Sequence, residues 1–387
     1  DRDQLKSGYL QDARTRSAYL LYYLSTSAAT AMAAARLSGV LDRVKTPTLR
    51  VLDVGAGPLS ASIGLALLAP DRGFEITALD TSSAALRDGA AILGQLRPDV
   101  SVVTQAVDLR DHRSRDRFGT GYDVVLVGNF LNELKRTKDR EFPQALKLVD
   151  DLLARLSPGG VLLMFEPGTR SAFDRVLAVR EAFVTGGLAQ VVAPCLGSMA
   201  CPLHGQRKRD WCHAEQHWTP PKLIDTLDEA IGHQRTVLKF SYLALANFEG
   251  GRPNSDRPEG DRTDAHRTDR EALQPTRKNT GDPALWLVIG GHMHQRGILR
   301  RYLCGPDGRA VARTSLENLP PSHPLRAASR GDLIPLTGKL SIVRRGKAEE
   351  VTLDIAAQRH EARVSRQQAP DPRPPSRGKP NGRGGRR

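Results

Sequence analysis

Short apolar runs alternate with longer amphipathic stretches over the first half of the chain. Five of these runs are rich in Val, Leu and Ile and are bounded by Gly, Pro or charged residues. Such runs are typical of strands buried on both faces, and the stretches between them have the apolar spacing of helices. The alternation predicts an α/β fold with a doubly wound, largely parallel sheet. The predicted strands are residues 49–55, 74–80, 101–108, 122–129 and 161–166.

A glycine turn follows the first predicted strand directly. Residues 49–58 read LRVLDVGAGP, and an apolar helix over residues 61–68 comes next. Gly55 and Gly57 allow the backbone to turn sharply and to approach a ligand closely. The second strand ends at Asp80, 23 residues after Gly57, where such folds place a carboxylate for ribose hydroxyls. These features predict a nucleotide-type cofactor site at the carboxyl ends of the strands.

The same region bears on whether the cofactor is S-adenosylmethionine (SAM) or NAD. Its order of strand, GxG turn, helix and acid-terminated strands, the third ending at Asp108, is the pattern of class I SAM-dependent methyltransferases. The loop reads GAGP and lacks the third glycine of GxGxxG, and an SPGG turn at residues 157–160 precedes a strand that leads into FEPG. Both features favour SAM over NAD. A Rossmann-like domain with an empty or decayed site is the alternative.

The remaining pattern defines the flanking regions. Residues 1–48 are predicted to be an N-terminal helical region without chemistry of its own. Residues 239–247 and 285–291 are predicted as the sixth and seventh strands, paired antiparallel, of a seven-stranded Rossmann-like domain over residues 49–291. Residues 248–283 are rich in Gly, Pro, Asp and Arg and predict a disordered loop. Residues 292–356 predict a small β region, with strands at 298–304, 310–315, 339–344 and 350–355.

The chain is strongly basic, and half of its net positive charge lies at the C-terminal end. The 387 residues carry a net charge of +14, and residues 358–387 contribute nine Lys or Arg against two Asp or Glu. We expect the tail over residues 357–387 to be disordered and to contact RNA, although a solubilising tail is the alternative. No apolar run reaches the roughly 18 residues that cross a bilayer. We expect no membrane association, and a cytoplasmic location or, in a eukaryote, the mitochondrial matrix.

The four cysteines of the chain are Cys195, Cys201, Cys212 and Cys304. The first three lie in a predicted insertion over residues 192–218, between the fifth and sixth predicted strands. The chain lacks the two CxxC knuckles of a compact zinc ribbon, and loosely spaced thiolates suit a [4Fe-4S] cluster. Four unrelated cysteines remain an alternative.

Neighbouring side chains bear on the same question. Zinc stays possible because His204, His213 and His217 lie among the cysteines. The basic run at residues 207–209 would offset the negative charge of a thiolate cluster or touch RNA phosphates. His292 and His294 are interpreted as a polar strand end more readily than as a metal site.

Several motifs together resemble one family. They are VLDVGAGPLSAS, LNEL, EPGT, CPLHG, DWCH, KFSYLAL and LCGPDGR. The chain resembles, from about Tyr19 to Leu336, the methyltransferase-like proteins of the mitochondrial small ribosomal subunit, which include methyltransferase-like protein 17 and its bacterial relatives. The cysteine block is the most specific part of this resemblance.

The resemblance implies a function and a set of site residues. Members of the family act in assembly of the small ribosomal subunit and bind the rRNA of its head. The expected partners are therefore rRNA and the pre-ribosomal small subunit. Away from the ribosome we expect a monomer. The family carries a four-cysteine [4Fe-4S] site, which implies Cys195, Cys201, Cys212 and Cys304 as ligands. The residues implied around SAM are Asp53, Gly55, Ala56, Gly57, Pro58, Asp80, Asp108 and Asn129.

The sequence leaves open whether methyl transfer occurs. After the fourth strand, where base-nitrogen methyltransferases carry an Asn or Asp followed by Pro-Pro and an aromatic, this chain reads GNFLNE. Asn129 could face the methyl group and Glu133 could act as a base, but the Pro-Pro pair is missing. Two hypotheses follow: an RNA-binding assembly factor on a methyltransferase scaffold, or an active rRNA methyltransferase. Radical SAM chemistry is disfavoured because the chain lacks a CxxxCxxC loop.

Overall fold

The computed structural model describes residues 9–111, 114, 118–134, 142–204, 211–248, 283–306, 308–345 and 348–355. Three predictions concern residues outside these ranges. They are the loop over residues 248–283 except its two end residues, the tail over residues 357–387, and the basic run at residues 207–209.

The first sheet is the predicted α/β sheet. Its first five strands run parallel and confirm the five predicted strands. A long antiparallel strand, β8, pairs with β5 and separates it from β6, so the strand order is β3-β2-β1-β4-β5-β8-β6. This order, with its single reversed strand beside the fifth, is that of class I methyltransferases. The strands are β1 (Thr48–Val54), β2 (Gly73–Asp80), β3 (Ser101–Ala106), β4 (Tyr122–Gly128), β5 (Leu156–Pro167), β6 (Gln190–Ala193), β7 (Ala214–His217) and β8 (Val237–Ala246).

The prediction for the sixth and seventh strands is wrong. Residues 239–247 belong to β8, but the sixth strand is β6, only four residues long and lying where the cysteine-rich insertion begins. Residues 285–291 overlap a strand that joins a second sheet instead. The first sheet has eight strands because the ten-residue β8 accommodates both β6 and β7 along one side.

In the predicted N-terminal helical region, helices span Ala13–Ser38 and Val40–Arg43, whereas Thr48 already belongs to β1. Its first helix begins at Asp12, whose side chain accepts a hydrogen bond from the N–H of Thr15, and ends at Gly39 in the left-handed conformation. This helix packs against the helix after β1, where Gly64 permits close approach to the backbone of Ala28. The helices are α1 (Ala13–Ser38), α2 (Val40–Arg43), α3 (Ser60–Leu68), α4 (Ser83–Leu96), α5 (Pro143–Leu153), α6 (Arg170–Arg180), α7 (Lys222–Ala230) and α8 (Pro324–Ala327).

A second, seven-stranded sheet follows, with its own apolar core. Its order is β13-β9-β11-β12-β15-β14, with β10 paired to β11. All its pairs are antiparallel except β12 with β15, which is parallel. The four strands predicted after residue 292 are confirmed within it. The strands are β9 (Ala284–Val288), β10 (Met293–Gln295), β11 (Ile298–Gly305), β12 (Gly308–Ser315), β13 (Leu333–Leu336), β14 (Lys339–Arg345) and β15 (Ala348–Asp354).

A helix crosses a bilayer only if it is both long and apolar. Within the described ranges, none combines the length and the apolar character that crossing a membrane requires.

Candidate functional site

The glycine turn after β1 is built as the sequence predicts. Gly55 and Gly57 both adopt positive φ, at 68° and 51°. The N–H groups of Gly55 and Ala56 donate to the carbonyl of Leu79 at 2.9 and 3.0 Å, so the loop is tied to the end of β2. A β-carbon built on Gly55 would lie 2.4 Å from the Phe130 ring, so the loop after β4 requires a glycine here.

Asp53 is fully buried at the end of β1 and supports this loop from below. Its Oδ2 accepts hydrogen bonds from the hydroxyl of Ser62 at 2.6 Å and from the N–H of Ser62 at 3.2 Å. Burial raises the pKa of Asp53 to about 6. The structure therefore places Asp53 as an anchor for the start of α3, beneath the loop formed by Ala56, Gly57 and Pro58.

Asp80, the carboxylate predicted to contact ribose hydroxyls, lies beside the glycine turn. Its Oδ2 accepts from the N–H of Gly57 at 2.9 Å, and its Oδ1 accepts from the N–H of Ser82 at 2.8 Å. Burial raises the pKa of Asp80. The carboxylate thus joins the ends of β1 and β2 at the edge where open sheets bind ligands.

The N-terminal segment borders the same place, which sequence reasoning missed. Leu10 is buried, and its Cδ1 would lie 3.5 Å from a β-carbon on Gly57. Its carbonyl accepts from the hydroxyl of Ser82 at 3.2 Å. Arg16 fixes the segment through an ion pair with Asp88 at 2.7 Å. The turn Tyr9–Gln11 is therefore part of the wall around the candidate cofactor site.

Asp108 and Glu133 lie farther out along this edge. Asp108 is exposed and forms a two-point ion pair with Arg110, at 2.8 and 2.9 Å. These hydrogen bonds hold the pKa of Asp108 below its usual range. The hydrogen bond to Asp108 raises the pKa of Arg110, and the carboxylate of Glu133 adds a smaller electrostatic contribution in the same direction. Arg110 thereby links the predicted SAM residue and the predicted base.

The loop after β4 is held by a carboxylate that the sequence analysis did not single out. Asn129 is half-buried, has a φ of 55°, and donates its N–H to the carbonyl of Phe165 at 2.8 Å. Glu166, fully buried at the end of β5, accepts from the N–H of Leu131 at 2.7 Å. The EPG sequence after a buried strand was the signal for such a residue.

The four cysteines line a single pocket between the two sheets. The space in this pocket that no protein atom fills, including the part open to solvent, is about 670 Å³. Cys195 follows β6, Cys201 lies six residues later, Cys212 precedes β7, and Cys304 lies on β11 of the second sheet. The remote fourth cysteine thus meets the other three, and apolar side chains such as Phe173, Leu243 and Leu287 complete the lining.

Backbone contacts bring the inserted segment against the second sheet. A β-carbon on Gly197 would lie 2.7 Å from the carbonyl oxygen of Pro306, and one on Gly331 would lie 2.6 Å from the Cβ of Ala214. The N–H of Glu215 donates to the carbonyl of Arg330 at 2.7 Å. The cysteines of the inserted segment therefore lie next to the second sheet, which carries Cys304.

Arg180 and Glu181 organise the loop between Cys195 and Cys201. Arg180 is buried and donates to Glu181 at 2.6 Å and to the carbonyls of Gly197 and Met199 at 3.0 and 2.6 Å. Glu181 in turn accepts from the N–H of Cys201 at 3.0 Å. Glu181 begins a π-helical turn, Glu181–Thr185, at the end of α6. Their positions in an ordinary amphipathic helix gave no sequence signal.

The electrostatics of the pocket depend on burial and on arginines. Burial raises the pKa of Cys201 to about 11, that of Cys304 to about 12, and that of Cys212 well above its usual value. Positive charge opposes this shift in each case. The arginines that lower these pKa values are Arg180 for Cys201, Arg180 and Arg309 for Cys304, and Arg330 for Cys212.

The structure shows no preformed metal coordination in the part of the chain that it describes. Among the residues it describes, no group of three or more His, Cys, Asp or Glu side chains is arranged to hold a metal ion. The shared pocket brings four soft sulfur donors to one place, which fits a thiolate-ligated metal group in chemistry. Of the three histidines considered for zinc, only His213 lines the pocket, while His204 and His217 are exposed.

Comparison with solved structures returns methyltransferases. An O-methyltransferase family protein from Burkholderia thailandensis is 18% identical, with 63% of this chain and 63% of that chain covered and a TM-score of 0.36. A precorrin-6y C5,15-methyltransferase from Geobacter metallireducens is 16% identical, covering 55% and 86%, with a TM-score of 0.32. A putative RNA methyltransferase from Pyrococcus horikoshii is 15% identical, covering 58% and 83%, with a TM-score of 0.33.

Comparison at the sequence level is more specific. No curated protein matches the chain. The family described as mitochondrial small ribosomal subunit Rsm22 matches residues 15–255, which include the glycine turn, the loop after β4 and three of the four cysteines. The chain therefore belongs to the mitochondrial small ribosomal subunit Rsm22 family.

Proposed function

We propose that this protein is an assembly or translation factor of the small ribosomal subunit. It would bind rRNA through its methyltransferase-like scaffold, which a four-cysteine [4Fe-4S] cluster would stabilise. Family membership supports association with the small subunit, in the mitochondrial matrix if the source is a eukaryote. The observation that carries the cluster is the meeting of Cys304 with three cysteines from the first domain in one pocket.

The donor set decides between the possible metal groups. Cys195, Cys201, Cys212 and Cys304 would supply four thiolates, and Arg180, Arg309 and Arg330 would offset their charge. Zinc with His213 is the alternative, because this imidazole lies in the same pocket. Binding either group requires the buried thiols to lose their protons. Because Cys304 meets the other three cysteines only in the folded chain, metal binding and folding of this region would also be coupled.

The cluster proposal is tested on full-length protein purified without oxygen. We expect brown colour and equal amounts of iron and acid-labile sulfide, both lost in Cys304→Ser and kept in His213→Gln. Stoichiometric zinc without sulfide would contradict the proposal.

Association is tested separately by sedimentation of the same protein with small ribosomal subunits, and a wild-type protein that stays at the top of the gradient would contradict the assembly role.

A second candidate function is an active rRNA methyltransferase. SAM would be held by Asp53, Gly55, Ala56, Gly57, Pro58, Asp80, Asp108 and Asn129, and it supplies an electrophilic methyl group when bound. The observation in favour is that Asn129 and Glu133 lie on one loop, fixed by Glu166 at the sheet edge that also carries Asp80. Asn129 would orient the acceptor, and Glu133 would receive a proton from it.

Methyl transfer to immature small subunits distinguishes the two functions. With labelled SAM, an active enzyme should label rRNA, and Asn129→Ala and Glu133→Ala should abolish the label. Absence of transfer by the wild-type protein would leave the assembly role and remove the enzymatic one.

A further inference from the structure

The second sheet has the strand order of a known nucleic-acid-binding fold. Taking β9, β11, β12, β14 and β15 as strands one to five, the order across the sheet is 1-2-3-5-4. Strands three and five are parallel, and every other pair is antiparallel. A short helix, α8, lies between strands three and four. This arrangement is that of the OB fold, a partly open five-stranded barrel that binds oligonucleotides on strands two and three and on the loop between strands one and two.

The outer face of strands two and three is basic. Side chains on β11 alternate between buried and partly exposed, and the buried set, which includes Leu299 and Leu303, enters the apolar core. Cross-strand pairing therefore places Arg300 opposite Arg313 on the outer face, and Tyr302 opposite Val311, which is itself buried. Cys304, at one end of this face, lines the pocket against the first sheet, whereas Arg313 at the other end is exposed.

An arginine is stacked on an aromatic ring in the same face. The guanidinium carbon of Arg309 lies 4.0 Å from the centre of the Tyr302 ring. Stacked guanidinium groups and aromatic rings are the surfaces on which proteins stack unpaired bases. The pair thus adds a stacking element to a row of positive charges.

The loop between strands one and two extends this surface. Residues 291–297 are all exposed, and Met293 pairs with Arg300 across β10 and β11. Arg296 and Gly297 form the tip, both with positive φ. The base of the loop is held by buried Arg301, which donates to the carbonyl of Gly290 at 3.3 Å and to that of Leu325 at 2.8 Å. A basic tip therefore projects from a fixed base.

We propose that the outer face of β11 and β12, together with the tip at Arg296, binds single-stranded RNA. The inference rests on the proposed function for its choice of RNA, because the family belongs to the small ribosomal subunit. Arg296, Arg300 and Arg313 complement phosphates, and the Arg309–Tyr302 stack accepts a base. A duplex keeps its bases stacked inside and offers none to this pair.

Full-length protein is tested by fluorescence anisotropy with a labelled single-stranded RNA of about 12 nucleotides, within the usual site size of one OB fold. The first variant is Arg296→Asn with Arg313→Gln. Asn accepts the positive φ at residue 296, and Arg313 is exposed, so this protein should fold. We expect at least about fivefold weaker binding at low salt, and a slope of log affinity against log salt that is shallower by about 1.4, or roughly 0.7 for each lost contact.

The matched control is Arg36→Gln with Arg87→Gln, which removes the same charge from exposed positions on α1 and α4. It should keep the affinity within about twofold and leave the slope unchanged. Tyr302→Leu should weaken binding by roughly 5- to 150-fold with an unchanged slope, because it removes stacking and no charge. A structural defect would not separate affinity from salt dependence in this way.

The outcomes separate the two proposals. Variants on the face that bind like the control, or a duplex of the same sequence that competes as well as the single strand, would overturn this inference even if the protein sediments with small subunits. A wild-type protein that binds the RNA through this face yet does not sediment with small subunits would instead contradict the proposed function.

Discussion

At the scale of single residues, the candidate cofactor loop is held by contacts that only glycine permits. Gly89 on α4 faces the turn after β1, and a β-carbon there would lie 2.4 Å from the carbonyl carbon and oxygen of Pro58. These are backbone atoms, so they cannot move aside as the end of a side chain can. Gly94, one and a half turns later on the same helix, has no atom within 4 Å of the equivalent position.

These two glycines give a matched prediction. Gly89→Ala should lower the free energy of unfolding by about 1–3 kcal/mol, because the added methyl pushes the helix away from the loop. Gly94→Ala should raise it by about 0.5–1 kcal/mol, because alanine favours the helix and meets open space. Urea unfolding of the two variants measures both changes. Equal effects would mean that α4 does not press on the loop at Pro58.

The sequence predicted those site residues that belong to a motif of fixed spacing. The turn at Gly55 and Gly57 and the acid at Asp80 were predictable because a strand, two glycines and a later carboxylate form a fixed spacing. Arg180 and Glu181 were not, because a charged pair in an amphipathic helix ordinarily indicates a solvated face. Only the folded chain shows that Arg180 is buried against the carbonyls of Gly197 and Met199.

At the scale of elements, long apolar strands were predictable and short polar ones were not. Strand β6 has four residues and β7, reading AEQH, has almost no apolar character, so neither produces a periodic signal. Strand β9 does, but apolar periodicity does not specify which sheet a strand joins. Its pairing with Cys304 and with Leu333–Leu336 is decided by contacts distant in sequence.

Helix α1 is joined to α7 by a polar contact that should matter for stability. The Tyr22 hydroxyl donates to buried Asp228 at 2.5 Å and accepts from Arg235 at 2.7 Å. Tyr22→Phe should lower the free energy of unfolding by about 1–3 kcal/mol, because it leaves a buried carboxylate without this donor. Leu21→Ala, at an exposed position on the same helix, should change it by less than about 0.5 kcal/mol. Thermal or urea unfolding checks the pair, and equal losses would mean that the hydroxyl contributes nothing.

At the scale of the whole molecule, the cysteine pocket lies where the two sheets meet. The sequence suggested that the four cysteines act together, because three are clustered and the chain has no others. It could not show which surfaces they join, since that depends on β9 and β11 forming a separate sheet. Gly197 packs closely against Pro306 and Gly331 against Ala214, and neither close approach involves a metal.

This arrangement predicts a local response to metal loss. The amide of Glu215 bonds to Arg330, and that of Gly331 bonds to Val288, so both lie beside the pocket. If the thiols hold a cluster, its removal leaves four buried sulfur groups without a partner, and these amides should exchange with deuterium faster. Amides of β1 and β2, which belong to the core of the first sheet, should keep their protection. Mass spectrometry of exchanged peptides before and after chelation measures both regions. Because the close packing at Gly197 and Gly331 involves no metal, we expect only local loosening where the two sheets meet. Uniform loss of protection would instead mean that the whole chain needs the cluster to fold. No change in protection would mean that the cysteines do not help to join the two sheets.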